Sequence, residues 1–331
     1  MPALRTVAPL APEKLRPCWP VERIPWEDSR AIPRGGRRRP AQPRALAALE
    51  LALHIRSTGY NVFLAGTPDL GRTYTLTTFL EPLARKEATG FGNVYFAENM
   101  LKAVGQNIEG KTAAVSGSGN VAIYTIQKLY QLGATPVTVS DSRGCIYQPG
   151  GISLEALQQV KEVERASLSR YAELCKDATY IPVSDYAAGE HAVWNVGAQL
   201  AFPCATQNEV SAADAANLLS KGCILVSEGA NMPSTLEATA AFLKAGICYG
   251  PAKCANAGGV ATSQLEMEQN AGMTSWTFEE VDGKLKGIMA GIFKAAHDTA
   301  EEFGQPGNYV MGGNIAGFRK VADSMIEQGV M

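Results

Sequence analysis

Val115-Ser-Gly-Ser-Gly-Asn-Val-Ala122 is the stretch on which the fold turns. The run Thr112-Ala-Ala-Val-Ser116 leading into it is small and apolar, as a buried strand requires, and the residues after it predict a helix to about Leu132. Strand, glycine loop and helix in that order form a dinucleotide-binding fingerprint. Gly117 permits the tight turn, Gly119 lets a pyrophosphate approach the backbone, and Ala122 takes the third position. The helix N-terminus adds partial positive charge. A second strand, Pro136-Val-Thr-Val-Ser140, runs into Asp141, 22 residues beyond Gly119. An acid at that distance reaches the adenosine ribose in this fold.

The alternation continues downstream. Helices are predicted from about Ser211 to Ser220 and from Ser234 to Lys244, with strands Cys223-Ile-Leu-Val-Ser227 and Ile247-Cys-Tyr249 between and after them. Thr206-Gln-Asn-Glu209 and Glu228-Gly-Ala-Asn231 carry polar and glycine residues just after strands. Strand carboxyl ends are where open α/β sheets bind ligands, and Asn and Gly also favour ordinary turns, so position alone leaves both readings open. The expected fold is α/β, a Rossmann-like doubly wound sheet.

The first 84 residues have another character. Ile32-Pro-Arg-Gly-Gly-Arg-Arg-Arg-Pro40 reads as a solvated basic segment in a chain whose net charge is −2. That charge gives no reason to expect nucleic acid or an anionic membrane as partner. A helix is predicted over 44–55, then a strand Asn61-Val-Phe-Leu-Ala65. The loop Gly66-Thr-Pro-Asp-Leu-Gly71-Arg72-Thr73 has P-loop spacing, with arginine in the lysine position. Asp69 and Leu70 stand where small residues usually let backbone meet phosphate, which weighs against a working nucleotide cradle. Apolar residues are 46% and charged residues 19%, as expected of a soluble globular protein. No apolar run is long enough to span a bilayer and no secretory leader opens the chain. Seven cysteines without a CxxC pair fit reduced thiols in a cytoplasmic protein. Three histidines without paired spacing argue against zinc.

Two resemblances extend this reading. Leu10-Ala-Pro-Glu-Lys-Leu15, Ala45-Leu-Ala-Ala-Leu-Glu-Leu-Ala-Leu53 and Gly59-Tyr-Asn-Val-Phe-Leu-Ala-Gly66 resemble the start of the Lon-like AAA+ proteases, whose Walker B strand and Ser–Lys dyad are missing here. That makes 1–84 a truncated ATPase-like head. Residues 85–331 resemble the second domain of the small hexameric glutamate dehydrogenases. The stretches that carry the likeness are Glu87-Ala-Thr-Gly-Phe-Gly92, 115–122, Pro203-Cys-Ala-Thr-Gln-Asn-Glu209, Ser227-Glu-Gly-Ala-Asn-Met-Pro233, Gly250-Pro-Ala-Lys-Cys-Ala-Asn-Ala-Gly-Gly-Val-Ala-Thr-Ser263 and Asn308-Tyr-Val-Met-Gly-Gly-Asn-Ile-Ala-Gly-Phe318. The two texts meet at Arg85-Lys-Glu-Ala-Thr-Gly90, as in a recombination, a fusion or an assembly error.

The dehydrogenase resemblance implies coenzyme contacts from Thr89, Gly117, Ser118, Gly119, Asn120 and Val121. It places Thr206, Gln207, Ala230 and Asn231 at the ribose and nicotinamide end, and Asn256 at the nicotinamide amide. Ser263 is expected on a substrate carboxylate and Val260 beside the substrate carbon chain. Asp141 suits the free 2′-hydroxyl of NAD. Ser142 and Arg143 offer a donor and a cation for a 2′-phosphate, so the coenzyme expected is NADP, with Arg143 offsetting Asp141. Glutamate or 2-oxoglutarate and ammonia are the partners implied, in a cytoplasmic homo-oligomer. The family's catalytic lysines and aspartate have no counterpart among residues 1–86, so no catalytic residue is assigned and the chain alone is expected to be inactive. The rival readings are a Lon-like protease fragment and a non-catalytic dinucleotide-binding module.

Overall fold

The strands at the centre of the molecule are apolar on both faces, so each must be covered twice. In the computed structural model, which describes residues 86–329, they are. The chain runs through α1 (Ala88–Ala103), β1 (Thr112–Val115), α2 (Asn120–Gln131), β2 (Thr135–Pro136), β3 (Thr138–Asp141) and β4 (Gly144–Tyr147). It continues with α3 (Leu154–Gln158), α4 (Leu168–Leu174), β5 (Thr179–Pro182), β6 (Leu200–Phe202), α5 (Ala212–Ser220), β7 (Leu225–Ser227), α6 (Leu236–Ala245) and β8 (Cys248–Gly250). The helices α7 (Ala252–Ala255), α8 (Gly258–Gly272), α9 (Phe278–Glu302) and α10 (Tyr309–Glu327) close it. The P-loop-like segment and the Lon-like resemblance fall at 1–85, outside the described residues.

Five strands form a parallel sheet in the order β2-β1-β6-β7-β8. Alternate residues face opposite layers. Ala113, Val115, Leu200, Phe202 and Leu225 pack with Phe91, Phe96 and Leu129 from α1 and α2. Ala114, Ala201 and Val226 pack with Trp194, Leu218 and Phe242 on the other side. The sheet is doubly wound, as expected. Its strand order leaves β1 in both directions, which opens a crevice at the carboxyl ends of β1 and β6.

The second predicted strand, 136–140, divides. Thr135 and Pro136 pair with β1, whereas Thr138–Asp141 joins an antiparallel sheet of order β3-β4-β5. Val137 is the pivot, donating its N–H to Ala113 and accepting from the Gln148 N–H. Beyond it, side chains replace the ladder. Thr138 Oγ1 accepts from the Val115 N–H at 2.8 Å and donates to the Val115 carbonyl at 3.1 Å, and Ser140 Oγ accepts from the Gly117 N–H at 2.8 Å. Two hydroxyl residues let the strand turn away from β1 without leaving its N–H groups unpaired.

Several helix starts carry side-chain caps. Ser211 and Asp214 form a capping box at α5, Thr235 caps α6, and Thr277 and Glu280 form a second box at α9. The last helix begins at Tyr309, where Asn308 caps it. Its apolar residues are only half used. Tyr309 and Gly312 are buried, while Phe318, Val321, Met325 and Ile326 lie exposed. No helix of the described residues is long and apolar enough to cross a membrane.

Helix α1 is buried on nearly every side because neighbours come close to its glycines. A Cβ at Gly90 would sit 2.6 Å from the Thr125 nitrogen and 2.8 Å from the Val121 oxygen, both backbone atoms of α2. Neither can move without separating the two helices. Gly90→Ala is therefore expected to destabilise by about 2–3 kcal/mol in urea unfolding. Gly283→Ala, on α9 with open space around its Cβ, should be neutral or stabilising by about 0.5–1 kcal/mol.

Candidate functional site

The crevice at the strand ends is a cleft of about 600 Å³ lined by Thr89, Val121, Cys204, Ala205, Thr206, Gln207, Gly229, Ala230, Asn231, Asn256, Gly259, Val260 and Ser263. Five separate segments meet there. Thr89 comes from the first turn of α1, Val121 from the first turn of α2, and Thr206 and Gln207 from the loop after β6. Ala230 and Asn231 come from the loop after β7, and Asn256 to Ser263 from the junction of α7 and α8. Nine of the residues singled out from the sequence thus share one cleft.

Backbone hydrogen bonds hold the walls. The Pro203 carbonyl accepts from both the Gly229 and Ala230 N–H groups at 2.9 Å, tying the two post-strand loops together. Further out, the Asn208 N–H donates to Met232 and the Val210 N–H to Pro233. Asn256 Nδ2 donates to Asn231 Oδ1 at 2.8 Å and to the Ala230 carbonyl at 3.4 Å, fixing the orientation of its amide. Ser263 Oγ donates back along its own helix to the Gly259 carbonyl at 3.2 Å, which leaves its oxygen free to accept.

Cys204 lies in the floor. Its thiol meets Thr125 Oγ1 at 3.7 Å and Asn93 Nδ2 at 4.0 Å, and burial pushes its pKa up to about 12. It is a neutral, packing thiol, not a nucleophile. The six cysteines of the described residues are all free.

The fingerprint loop adjoins this cleft without lining it. Gly117 holds φ +80°, and a Cβ there would come within 2.9 Å of the Cys204 carbonyl oxygen. Ser118 is buried, whereas Gly119 and Asn120 are exposed, with open space where a Gly119 side chain would stand. No side chain caps the N-terminus of α2. Its first-turn N–H groups and the bare Gly119 backbone make a concave surface suited to an anion.

Asp141 ends β3 beside that loop, and its environment differs from the expectation. Oδ1 accepts from the Arg143 N–H at 2.9 Å; Oδ2 accepts from the Leu168 N–H at 3.0 Å and pairs with Lys161 Nζ at 3.3 Å. The cation that offsets Asp141 is Lys161, not Arg143. The Arg143 side chain, with Ser142 beside it, is exposed, and among the described residues it makes no ion pair. Lys161 carried no signal in the sequence, because a one-turn π-helical segment, Gln159–Val163, is what brings it back to the strand end. Cys204, Ala205, Gly229 and Gly259 were likewise unassigned, although each lies inside a quoted motif.

The family model for Glutamate/Leucine/Phenylalanine/Valine dehydrogenase matches residues 82–329. The NADP-specific glutamate dehydrogenase of Helicobacter pylori is 57% identical over 253 residues, which cover 76% of this chain and 56% of that protein. The NADP-specific glutamate dehydrogenase of Escherichia coli is 46% identical over 249 residues, covering 75% of this chain and 54% of that one. The crystal structure of Plasmodium falciparum glutamate dehydrogenase superposes with a TM-score of 0.71 at 47% identity, over 75% of this chain and 52% of its own. The chain spans about half the length of these relatives.

Lys161→Ala leaves Asp141 half-buried on two N–H donors with no cation. The expected cost is about 1–2 kcal/mol in urea unfolding.

Proposed function

Because the chain belongs to the Glu/Leu/Phe/Val dehydrogenase family, we propose that residues 85–331 are the coenzyme-binding half of an NADP-linked glutamate dehydrogenase. The observation that carries this is the convergence of Thr89, Val121, Thr206, Gln207, Ala230, Asn231, Asn256, Val260 and Ser263 on one cleft beside an uncapped, glycine-lined helix N-terminus. A dinucleotide fits that arrangement. Its pyrophosphate meets the N–H groups at Gly119 and Asn120, and its nicotinamide end lies along Thr206, Ala230 and Asn256. When bound, the coenzyme supplies the hydride acceptor for oxidation of glutamate to 2-oxoglutarate and ammonia. The residues of this chain position it: two of the cleft's amide side chains, Asn231 and Asn256, are already bonded to each other. Ser263, with its free acceptor lone pairs, marks the substrate end beside Val260. The matched segment, beginning at 82, supports a domain boundary near residue 85. The Lon-like resemblance of 1–84 stays a reading of the sequence alone. A homo-oligomer in the cytoplasm follows from the same family reading.

Chemistry needs more than this cleft offers. Among the described residues that line it there is no Lys, Asp, Glu or His, and its one thiol is held neutral. Proton transfer and carboxylate clamping therefore have no group to carry them. The full chain is expected to quench or shift NADPH fluorescence on titration while glutamate-dependent reduction of NADP stays at background. Sustained turnover would overturn the division of labour, and absence of NADPH binding would overturn the coenzyme reading.

Choice of coenzyme should rest on Arg143. With Asp141 balanced by Lys161, the uncommitted guanidinium and the Ser142 hydroxyl present a site for a 2′-phosphate. Arg143→Ala is expected to weaken NADPH about tenfold and leave NADH unchanged. Equal loss for both coenzymes would remove Arg143 from phosphate recognition.

A further inference from the structure

We propose that Glu209 is a positioning residue of the cleft, whose carboxylate, bonded to the Ala205 and Thr206 N–H groups, holds the turn that presents Thr206 and Gln207. Its role in coenzyme affinity rests on the cleft being the coenzyme site, as proposed above. Glu209 Oε1 accepts from the Ala205 N–H at 2.9 Å and from the Thr206 N–H at 3.3 Å. Both donors belong to cleft-lining residues, and Glu209 itself does not line the cleft. The side chain can fold back over its own turn because Asn208 takes the left-handed conformation, φ +56°. A non-glycine residue there is strained. Neighbouring bonds oppose that strain. The Asn208 N–H is fixed on Met232, the Val210 N–H on Pro233, and the Glu209 carbonyl accepts from Nε1 of the buried Trp194 at 3.4 Å.

The carboxyl group is unusually placed for a charge. Its Oε2 is buried and, among the described residues, meets no hydrogen-bond donor in good geometry, although the Ser116 hydroxyl is near enough to favour its charged form. No Lys or Arg pairs with it among those residues. The titratable groups around it come from three directions. Asp214, in the first turn of α5, repels it. His191 packs beside Asp214, and burial holds that ring below its ordinary pKa. Cys204 carries a neutral thiol, and the Ser116 hydroxyl at the end of β1 accepts from the Cys204 N–H at 2.8 Å. Burial first, and Asp214 after it, lift Glu209 to about 7; the Ser116 hydroxyl and the Ala205 and Thr206 N–H groups act against the rise.

The direction of the pH effect follows. An ionised carboxylate, acceptor only, suits two N–H donors, and a carboxylic acid suits them less well. Lowering the pH through about 7 should thus loosen the turn. The same protonation removes a buried charge, so the fold itself should gain stability as pH falls through that point. Coenzyme affinity and global stability are expected to move in opposite senses, which a merely structural role would not produce.

The test uses the full chain as wild type, Glu209→Gln and Glu209→Ala. NADPH affinity is measured from pH 6 to 8, with thermal melting and amide hydrogen exchange on the same samples. In wild type, NADPH affinity should fall and melting temperature rise as pH drops through 7. The Gln variant keeps an oxygen acceptor, so it should bind within about threefold of wild type at pH 8 and lose both pH steps. The Ala variant should bind about tenfold more weakly, with faster exchange at Ala205 and Thr206 and unchanged exchange in β1. Wild-type affinity with unaltered exchange in the Ala variant would overturn the proposal, as would equal acceleration throughout β1. Failure of wild type to bind NADPH would sink the coenzyme reading instead, while amide exchange at 205 and 206 would still decide whether Glu209 holds the turn.

Discussion

How near other chain can come to α1 sets the geometry of everything else. The helix has backbone, not side chains, at three of its contact points. Gly90 meets the backbone of α2, and Gly92 faces Gly258 at the start of α8, where an added Cβ would lie 2.8 Å from the Gly258 Cα. Gly258 in turn has room only for hydrogen against the Ala88 carbonyl. These contacts draw the starts of α1, α2 and α8 together, and Thr89, Val121 and Val260 reach one cleft as a result. Polar bonds lock the arrangement. Tyr95 donates to Asp282 at 2.7 Å, Lys128 pairs with the same carboxylate at 3.2 Å and lies 3.9 Å over the Phe91 ring. Three helices thus share one charge cluster, in which burial lowers the Lys128 pKa and Asp282 works against that fall.

The cleft's other wall depends on loops, which are ordinarily the softer part of an α/β sheet. Here they are cross-tied before any ligand arrives. Asn93, deep in α1, exchanges hydrogen bonds with Ser227 at the end of β7, and Gly229 next to it has no space for a side chain between Cys204, Asn93 and Val121. A second buried acid, Glu228, accepts from the Tyr249 hydroxyl at 2.6 Å and from the Ala252 N–H at 2.8 Å. It joins β7, β8 and the start of α7 as Glu209 joins the ends of the turn after β6. A site assembled in this way loses little conformational entropy on binding, because the ordering cost is met during folding.

The parallel sheet was legible in the sequence because it depends on local order, whereas the residues of the cleft came from the dehydrogenase resemblance. Glycine loop after strand and polar residues after strands lie within a few positions of the element they define. The antiparallel sheet was not legible. Its cause is the pair Thr138 and Ser140, whose hydroxyls replace backbone partners on β1, and a β-branched or hydroxyl residue in a strand otherwise reads as ordinary propensity. The partner of Asp141 escaped for a related reason. Proximity along the chain suggested Arg143, but the side chain two residues on leaves only its N–H to the carboxylate, and the cation arrives from 20 residues away. The exposed apolar residues of α10 show the limit of periodicity, which does not say where packing stops.

The acid at the end of β3 carries a wider lesson about reading fingerprints. Spacing locates a carboxylate, while its meaning depends on what already occupies its lone pairs. Asp141 has two N–H donors and an ammonium, so little of its charge is left to repel a phosphate or its acceptor capacity to claim a ribose hydroxyl. An acid in the same place without Lys161 would face the crevice with its full charge and acceptor capacity. The π-helical segment that carries Lys161 is consequently part of the crevice's electrostatics, although it contributes no lining residue. Substitution there would change the field at Ser142 and Arg143 without touching either. The segment from β3 to α4, with Lys161 inside it, fixes the charge around Asp141, so an acid 22 residues past the glycines is read only together with its partners.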